Sequence, residues 1–286
     1  MNKIALLGPG LLGGSLALAL RARAPQCRVA VWARRAEAVE EIRASGVCEL
    51  ASTELGPVLE GADRVVLCVP IGAMPELARG IADCVEPDAL VTDVGSVKAS
   101  VVEALAPIFE RAGRGRFIGS HPMAGSEQAG FSAACADLFE GTVCIVTPRP
   151  GDAPETVEAA AGFWRSVGCQ VRTLAPAEHD AAIGLVSHLP HLIAAALTNF
   201  VCTQNPEAVD FCGNGLRDTT RIASGLPGMW TEILASNRAE LGGQLEAFIA
   251  RLREVSRDIA GGDDAKLKEF LTNAQIRRDR HIKRKN

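Results

Sequence analysis

The sequence predicts an α/β half followed by an all-α half, and three observations carry that prediction. Short apolar runs alternate with helical periodicity over the first 174 of the 286 residues, the pattern of βαβ units that feed a parallel sheet. A glycine-rich turn, Gly8-Pro9-Gly10-Leu11-Leu12-Gly13, joins the first strand to the first helix. From Pro176 onward only helical periodicity remains.

Taken in order, strands are predicted at 4–7, 28–32, 64–69, 89–93, 116–118, 143–147 and 170–174. Helices fall between them at 11–23, 36–44, 74–82, 97–112 and 153–167. The second half reads as helices at 177–203, 211–223, 229–259 with a break, and 265–277. Domains are therefore expected at 1–174 and 175–286. A helical domain of about 110 residues with long helices builds little core by itself. Pairing with the same region of a second copy would cover its apolar faces, so a homodimer is expected.

Composition narrows the partners. Hydrophobic residues make up 48% of the chain, enough for a substantial core, and the net charge of −4 offers no broad positive field for nucleic acid or a membrane surface. No run of 18 apolar residues marks a membrane span, and the chain opens directly on a strand-like run from Lys3 to Leu7. The nine cysteines form no CxxC pair and no His/Cys metal spacing. Most sit in apolar runs such as Val66-Leu67-Cys68-Val69, which reads as buried free thiols in a reduced cytoplasm and no metal site. Tyrosine is absent, so acid/base work falls to histidine.

The GxGxxG turn demands a tight bend at Gly8, close approach of a pyrophosphate at Gly10 and close helix–strand packing at Gly13. Free N–H groups and the positive dipole end of the following helix then face the phosphates. This defines a Rossmann-type dinucleotide-binding domain. Leu11 and Leu12 in the loop, and Val69 and Pro70 at the end of the 64–69 strand, complete the surface expected against the cofactor. At the end of the second strand, where NAD users place a carboxylate, stand Ala33, Arg34 and Arg35. Two guanidiniums can grip a 2′-phosphate, although arginines at a helix start are also ordinary surface charge. The reading favours NADP, with NAD as the alternative.

Candidate catalytic residues cluster at strand ends. Asp93-Val94-Gly95-Ser96-Val97-Lys98 leads from a strand into a helix; Ser96 fits an N-cap and equally a hydrogen bond to substrate or to the catalytic base. Ser120-His121-Pro122-Met123-Ala124-Gly125-Ser126-Glu127 follows the 116–118 run, which sets His121 at the carboxyl edge of the sheet, where open α/β sheets bind ligands. In Ser187-His188-Leu189-Pro190-His191, Ser187 and His191 share a helix face, and Pro190 should kink the helix. His191 is the histidine expected in the cleft. In Arg217-Asp218-Thr219-Thr220-Arg221, Asp218 is spaced to orient Arg221, as it also would be in a plain surface ion pair. Trp230 suits either a core or a cap over a ring-shaped substrate.

In order and spacing, GPGLLGGS, DVGSVK, SHPMAGSE, SHLPHL, RDTTR and MW resemble the prephenate/arogenate dehydrogenase family of tyrosine biosynthesis over nearly the whole chain. The resemblance implies that His121 is the catalytic histidine and Ser96 its hydrogen-bonding serine. It implies a substrate pocket of Glu127, Ser187, His191, Arg221 and Trp230, and a cyclohexadiene substrate that loses hydride and carbon dioxide. Ala33-Arg34-Arg35 looks like the NADP-using branch. The chain is expected to lack an appended regulatory domain and a chorismate mutase segment. Two alternatives stand beside this reading. One is a 3-hydroxyacid or imine reductase of similar plan, whose helical lysine is missing from 177–203; the other is a non-catalytic NADP-binding sensor, which would need no His121, Ser96 and Arg221 together.

Overall fold

Parallel pairing begins at the N-terminus. In the computed structural model, which describes residues 2–126 and 128–282, β1 (Lys3–Leu7) lies between β2 (Arg28–Trp32) and β4 (Arg64–Leu67), parallel to both. With β3 (Leu50–Ser52), β5 (Leu90–Asp93) and β6 (Arg116–Phe117) they form a six-stranded parallel sheet in the order β3-β2-β1-β4-β5-β6. Alternate residues of β1 enter opposite cores, Ile4 and Leu6 on one face, Ala5 and Leu7 on the other. Burial of both faces is what near-continuous apolar strands require. Helices α1 (Leu11–Arg23), α2 (Ala36–Ala44), α3 (Leu55–Leu59), α4 (Met74–Ile81) and α5 (Ala99–Ala112) make the crossovers. Strand order reverses between β1 and β4, so the ligand crevice opens at their carboxyl ends.

The sequence misses β3 and α3, which are too short to carry a period. It also places the later strands in one parallel sheet, and here the structure differs. After β6 the chain turns into β7 (Gly119–Pro122), which pairs antiparallel with β8 (Val143–Thr147); β8 runs parallel to β9 (Gln170–Thr173). These three strands form a separate small sheet. Helix α6 (Pro154–Ser166) closes it with Phe163 and Trp164, both fully buried, the Trp164 ring packed against Phe139 and Phe163. His121 therefore lies inside a strand of the small sheet, rather than in a loop past the end of the large one.

Beyond β9 come α7 (Pro176–Ile183), a single wide π turn at Gly184–His188, and α8 (Leu189–Gln204), a continuous helical rod of 29 residues. The wide turn sits just before Pro190, which has no N–H for the carbonyl one turn back, and the ladder shifts register there. By length and composition this rod could cross a membrane, but it buries His179, Asp180, His188 and His191, which marks it as the carrier of a polar site. Helix α9 (Asn214–Thr220), a tight turn at Arg221–Ser224 and α10 (Pro227–Ser236) follow. Residues 1–238 form one compact unit. A second unit begins at Ala239 and holds most of α11 (Arg238–Ala260) and α12 (Asp264–Arg277), with Asp263 capping α12 through the Lys266 N–H at 3.0 Å. The break expected within 229–259 falls at Asn237. All nine thiols are free, yet only Cys27, Cys144 and Cys169 are buried; the expectation that most would be core residues fails because Cys48, Cys68, Cys84, Cys135 and Cys212 fall in turns and irregular segments just outside the strands and helices, and Cys202 on an exposed face of α8.

Candidate active site

The glycine turn meets each of its three demands in a different way. Gly8 has φ +116°, and a Cβ there would sit 2.6 Å from the Cys68 carbonyl oxygen. At Gly13 a Cβ would collide with the Gly8 carbonyl. At Gly10 a Cβ would meet nothing within 4 Å, so open space remains where a pyrophosphate would approach. The cleft beside it has a volume of about 690 Å³ and is lined by Gly8, Gly10, Ala33, Arg34, Arg35, Val69 and Pro70 among others, within the range of small-molecule sites. These residues fit a dinucleotide. Leu11, Leu12 and Gly13 form the first turn of α1, directly after Gly10. Arg34 and Arg35 are exposed, and neither guanidinium has an ion-pair or hydrogen-bond partner among the described residues.

Past the cleft, the end of β5 is fixed by a buried charge pair. Asp93 and Lys98 are both fully buried and joined by an ion pair. The Asp93 carboxylate also accepts the N–H of Gly95 at 2.8 Å and of Ser120 at 3.0 Å, and Thr92 Oγ1 donates to Ser120 Oγ at 2.8 Å. A buried ion pair survives when further hydrogen bonds satisfy its remaining atoms. Together these bonds tie the small sheet to the large one and set the position of the next residue, His121.

His121 is 7% exposed. Its Nδ1 lies 2.8 Å from Nε2 of His179, and Nδ1 of His179 lies 2.8 Å from Asp180 Oδ1. Nε2 of His121 is left free of protein bonds among the described residues. Burial, then the neighbouring His179, Lys98 and His188, hold the His121 pKa well below 6.5, so the ring is neutral at pH 7 and able to accept a proton. Asp180 accepts the N–H of Lys98 at 2.7 Å and of Ala99 at 2.9 Å. That corrects the reading of Ser96 as an N-cap: α5 starts at Ala99, and its first amides are capped from 81 residues away by a carboxylate of α7. The half-buried Ser96 lies with its backbone beside the His188 ring, and its hydroxyl has no partner among the described residues.

The π turn and α8 supply the opposite wall. His188 is fully buried; Nδ1 lies 3.0 Å from Asn237 Nδ2, which also donates to the Asp180 carbonyl at 2.9 Å. Burial lowers the His188 pKa to about 4, and the residue braces the helix. His191 stacks on Trp230, ring centroids 3.5 Å apart and planes 9° apart. A side chain at Gly225 would collide with Trp230 Nε1, so that glycine admits the indole. His191 Nδ1 is buried without a partner among the described residues, and Ser187 lies half-buried in the π turn. Arg221 opens the turn after α9 and is exposed, as is Asp218. Asp218 makes no ion pair with Arg221 among the described residues, because α9 ends at Thr220 and the chain tightens before Arg221, breaking the helical spacing that would have paired them. Glu127 lies outside the described residues. His179, Asp180, Asp93, Lys98 and Asn237 escape the sequence reading; the available signal was that four of only five histidines meet here.

A cleft that fits a dinucleotide, a neutral, buried histidine and a polar helical wall together fit a nicotinamide-dependent dehydrogenase. The nucleotide-binding domain of prephenate dehydrogenase matches residues 16–173, and the dimerization domain of prephenate dehydrogenase matches residues 175–273. The cyclohexadienyl dehydrogenase of Zymomonas mobilis is 30% identical over 276 residues, covering 95% of this chain and 93% of that protein. The crystal structure of prephenate dehydrogenase from Aquifex aeolicus with hydroxyphenyl propionate and NAD+ superposes with a TM-score of 0.92 at 30% identity, over 98% of both chains. Synechocystis arogenate dehydrogenase gives 0.83 at 27% identity, over 98% and 99%. The chain belongs to the prephenate dehydrogenase family.

Proposed function

We propose that this protein oxidatively decarboxylates prephenate, arogenate or both in tyrosine biosynthesis, with His121 as the proton acceptor. The observation that carries the proposal is His121 itself, neutral through burial, with Nδ1 occupied by His179 and Nε2 unbonded among the described residues. A bound oxidised nicotinamide supplies the hydride acceptor. His121 takes the proton of the ring hydroxyl at Nε2 as hydride leaves the same carbon. The ketone that forms loses carbon dioxide readily because the ring becomes aromatic. The stacked His191 and Trp230 offer a flat wall for the ring, Ser96 and Ser187 offer hydroxyls, and Arg221 offers bidentate binding to a carboxylate.

The cofactor is NADP: Arg34 and Arg35 line the cleft without partners among the described residues, and Ala33 leaves no carboxylate to hold ribose hydroxyls. Residues 1–174 carry the cofactor, 175–286 carry most of the substrate wall, and the helical part joins two copies. The test follows reduced-cofactor absorbance with each substrate and each cofactor. His121→Asn is expected to lower kcat about 10²–10⁴-fold, the usual contribution of a placed general base, with the Kd for NADP unchanged. Near-normal turnover in that variant would refute the assignment.

A further inference from the structure

Asp180 dictates which nitrogen of His121 can act as a base. Both of its oxygens accept backbone N–H groups of Lys98 and Ala99, so it stands as a carboxylate, and those bonds together with His179 keep its pKa lowered despite burial. A carboxylate only accepts, so His179 Nδ1, 2.8 Å from Oδ1, must carry the proton. Neutral His179 then presents a lone pair at Nε2, and His121 Nδ1, 2.8 Å away, must donate to it. The lone pair of His121 is thereby fixed on Nε2, the nitrogen without a bond among the described residues. Each tautomer follows from the one before it. The starting point is buried and rigid: Asp180 and His179 are 3% and 0% exposed, and Asn237 clamps the Asp180 carbonyl.

We propose that His179 and Asp180 are positioning residues that make His121 a base: they set its tautomer and receive the positive charge it gains. This rests on the assignment of His121 as proton acceptor. In the step itself, the substrate O–H bond breaks and an N–H bond forms at His121 Nε2. The Nδ1 proton of His121 shifts toward His179 Nε2, while His179 leans its own Nδ1 proton on the Asp180 carboxylate. No further reactant is needed, because hydride leaves by the established dehydrogenase chemistry. The need for such a pair is visible in the surroundings. Among the described residues, the other charged or titratable groups facing the two rings are Lys98, with its partner Asp93, and His188. The Lys98 charge works against an imidazolium, and Asp93 already holds it in a mutual ion pair. Asp180 is therefore the carboxylate bonded directly to the histidine pair.

The experiment measures kcat against pH for Asp180→Asn, His179→Gln and His121→Asn, alongside NADP binding by fluorescence. Asp180→Asn is expected to lower the kcat plateau about 100-fold or more. It should also move the acid limb to lower pH, because the imidazolium loses its counter-charge. His179→Gln keeps an amide oxygen to accept from His121 Nδ1 but cuts the link to Asp180. It is expected to lose about tenfold in kcat and shift the limb the same way, with KM for substrate and the Kd for NADP within about twofold of wild type. Should Asp180→Asn fail to fold because α5 loses its cap, His179→Gln decides. A wild-type plateau, or a lowered plateau with an unmoved acid limb, in the folded variants overturns the proposal. If His121→Asn is inactive while the other two behave as wild type, the relay alone is wrong. If His121→Asn keeps its turnover, the base assignment falls first.

Discussion

His121, His179, His188 and His191 are buried in one unit, and burial is the largest cause of the lowered pKa of each. In the unfolded chain they titrate near 6.5. As pH falls below that value the unfolded state binds protons that the native state refuses, so stability is lost from about pH 6.5 downward; for His188 the loss continues to about pH 4, where the native ring also protonates. Each histidine that stays neutral costs about 1.4 kcal/mol per pH unit over its window. Tm is therefore expected to fall steeply between pH 7 and 5, and a flat Tm over that interval would contradict it. The proposed use of NADP gives a second prediction at this scale: changing Ala33 to Asp and Arg34 to Ser together is expected to raise KM for NADP at least tenfold and favour NAD, as steady-state kinetics would reveal. Legibility at this scale depends on what a residue needs as neighbours. His121 stands in a distinctive run of sequence. His179 and Asp180 are simply adjacent in a helix, and their roles arise from contacts to His121, 58 residues away, and to Lys98, 82 away, for which no local spacing exists.

The first βα turn and the π turn show how far elements can be read. The glycine turn is legible because each glycine answers a backbone constraint, and the constraints separate cleanly in a pair of substitutions. Gly10→Ala meets no atom, and its φ of −74° suits alanine. It should fold with Tm within a few degrees of wild type while weakening NADP binding at least tenfold, since the methyl enters the space of the pyrophosphate. Gly13→Ala drives a methyl into the Gly8 carbonyl, and overpacking of that kind costs about 1–3 kcal/mol or more. It should lower Tm as well as cofactor affinity, and calorimetry of the two apo variants distinguishes them. Long strands and helices were readable from periodicity, whereas the small sheet was not, because β7 is four residues long and follows β6 after one residue. Pro190 signalled a distortion in its helix; that the distortion takes the form of a π turn at Gly184–His188 was not in the pattern.

Over the whole molecule, apolar residues that a lone copy leaves in water set the last expectation. Leu185, Val186, Phe200 and Phe211 are 55%, 68%, 62% and 88% exposed on the π turn, α8 and the turn that follows it. Fully burying one such side chain is worth about 1.5–3 kcal/mol, and a soluble monomer rarely displays several together. The same stretch falls within the region that matches a dimerization domain, and a two-fold axis would bring each face against its own copy. Light scattering with size-exclusion chromatography is expected to give a mass of twice 30.1 kDa at micromolar concentration. Val186→Asp combined with Phe200→Asp places two charges in that contact, and burying an unpaired carboxylate costs several kcal/mol. The variant should elute as a monomer with a Tm that no longer rises with protein concentration. The substitutions lie on surface already exposed in one copy, so the monomer itself should keep its fold and its far-ultraviolet dichroism. A wild-type chain that stays monomeric at micromolar concentration would show instead that these side chains face solvent in the working protein, and the dimer would have to be abandoned.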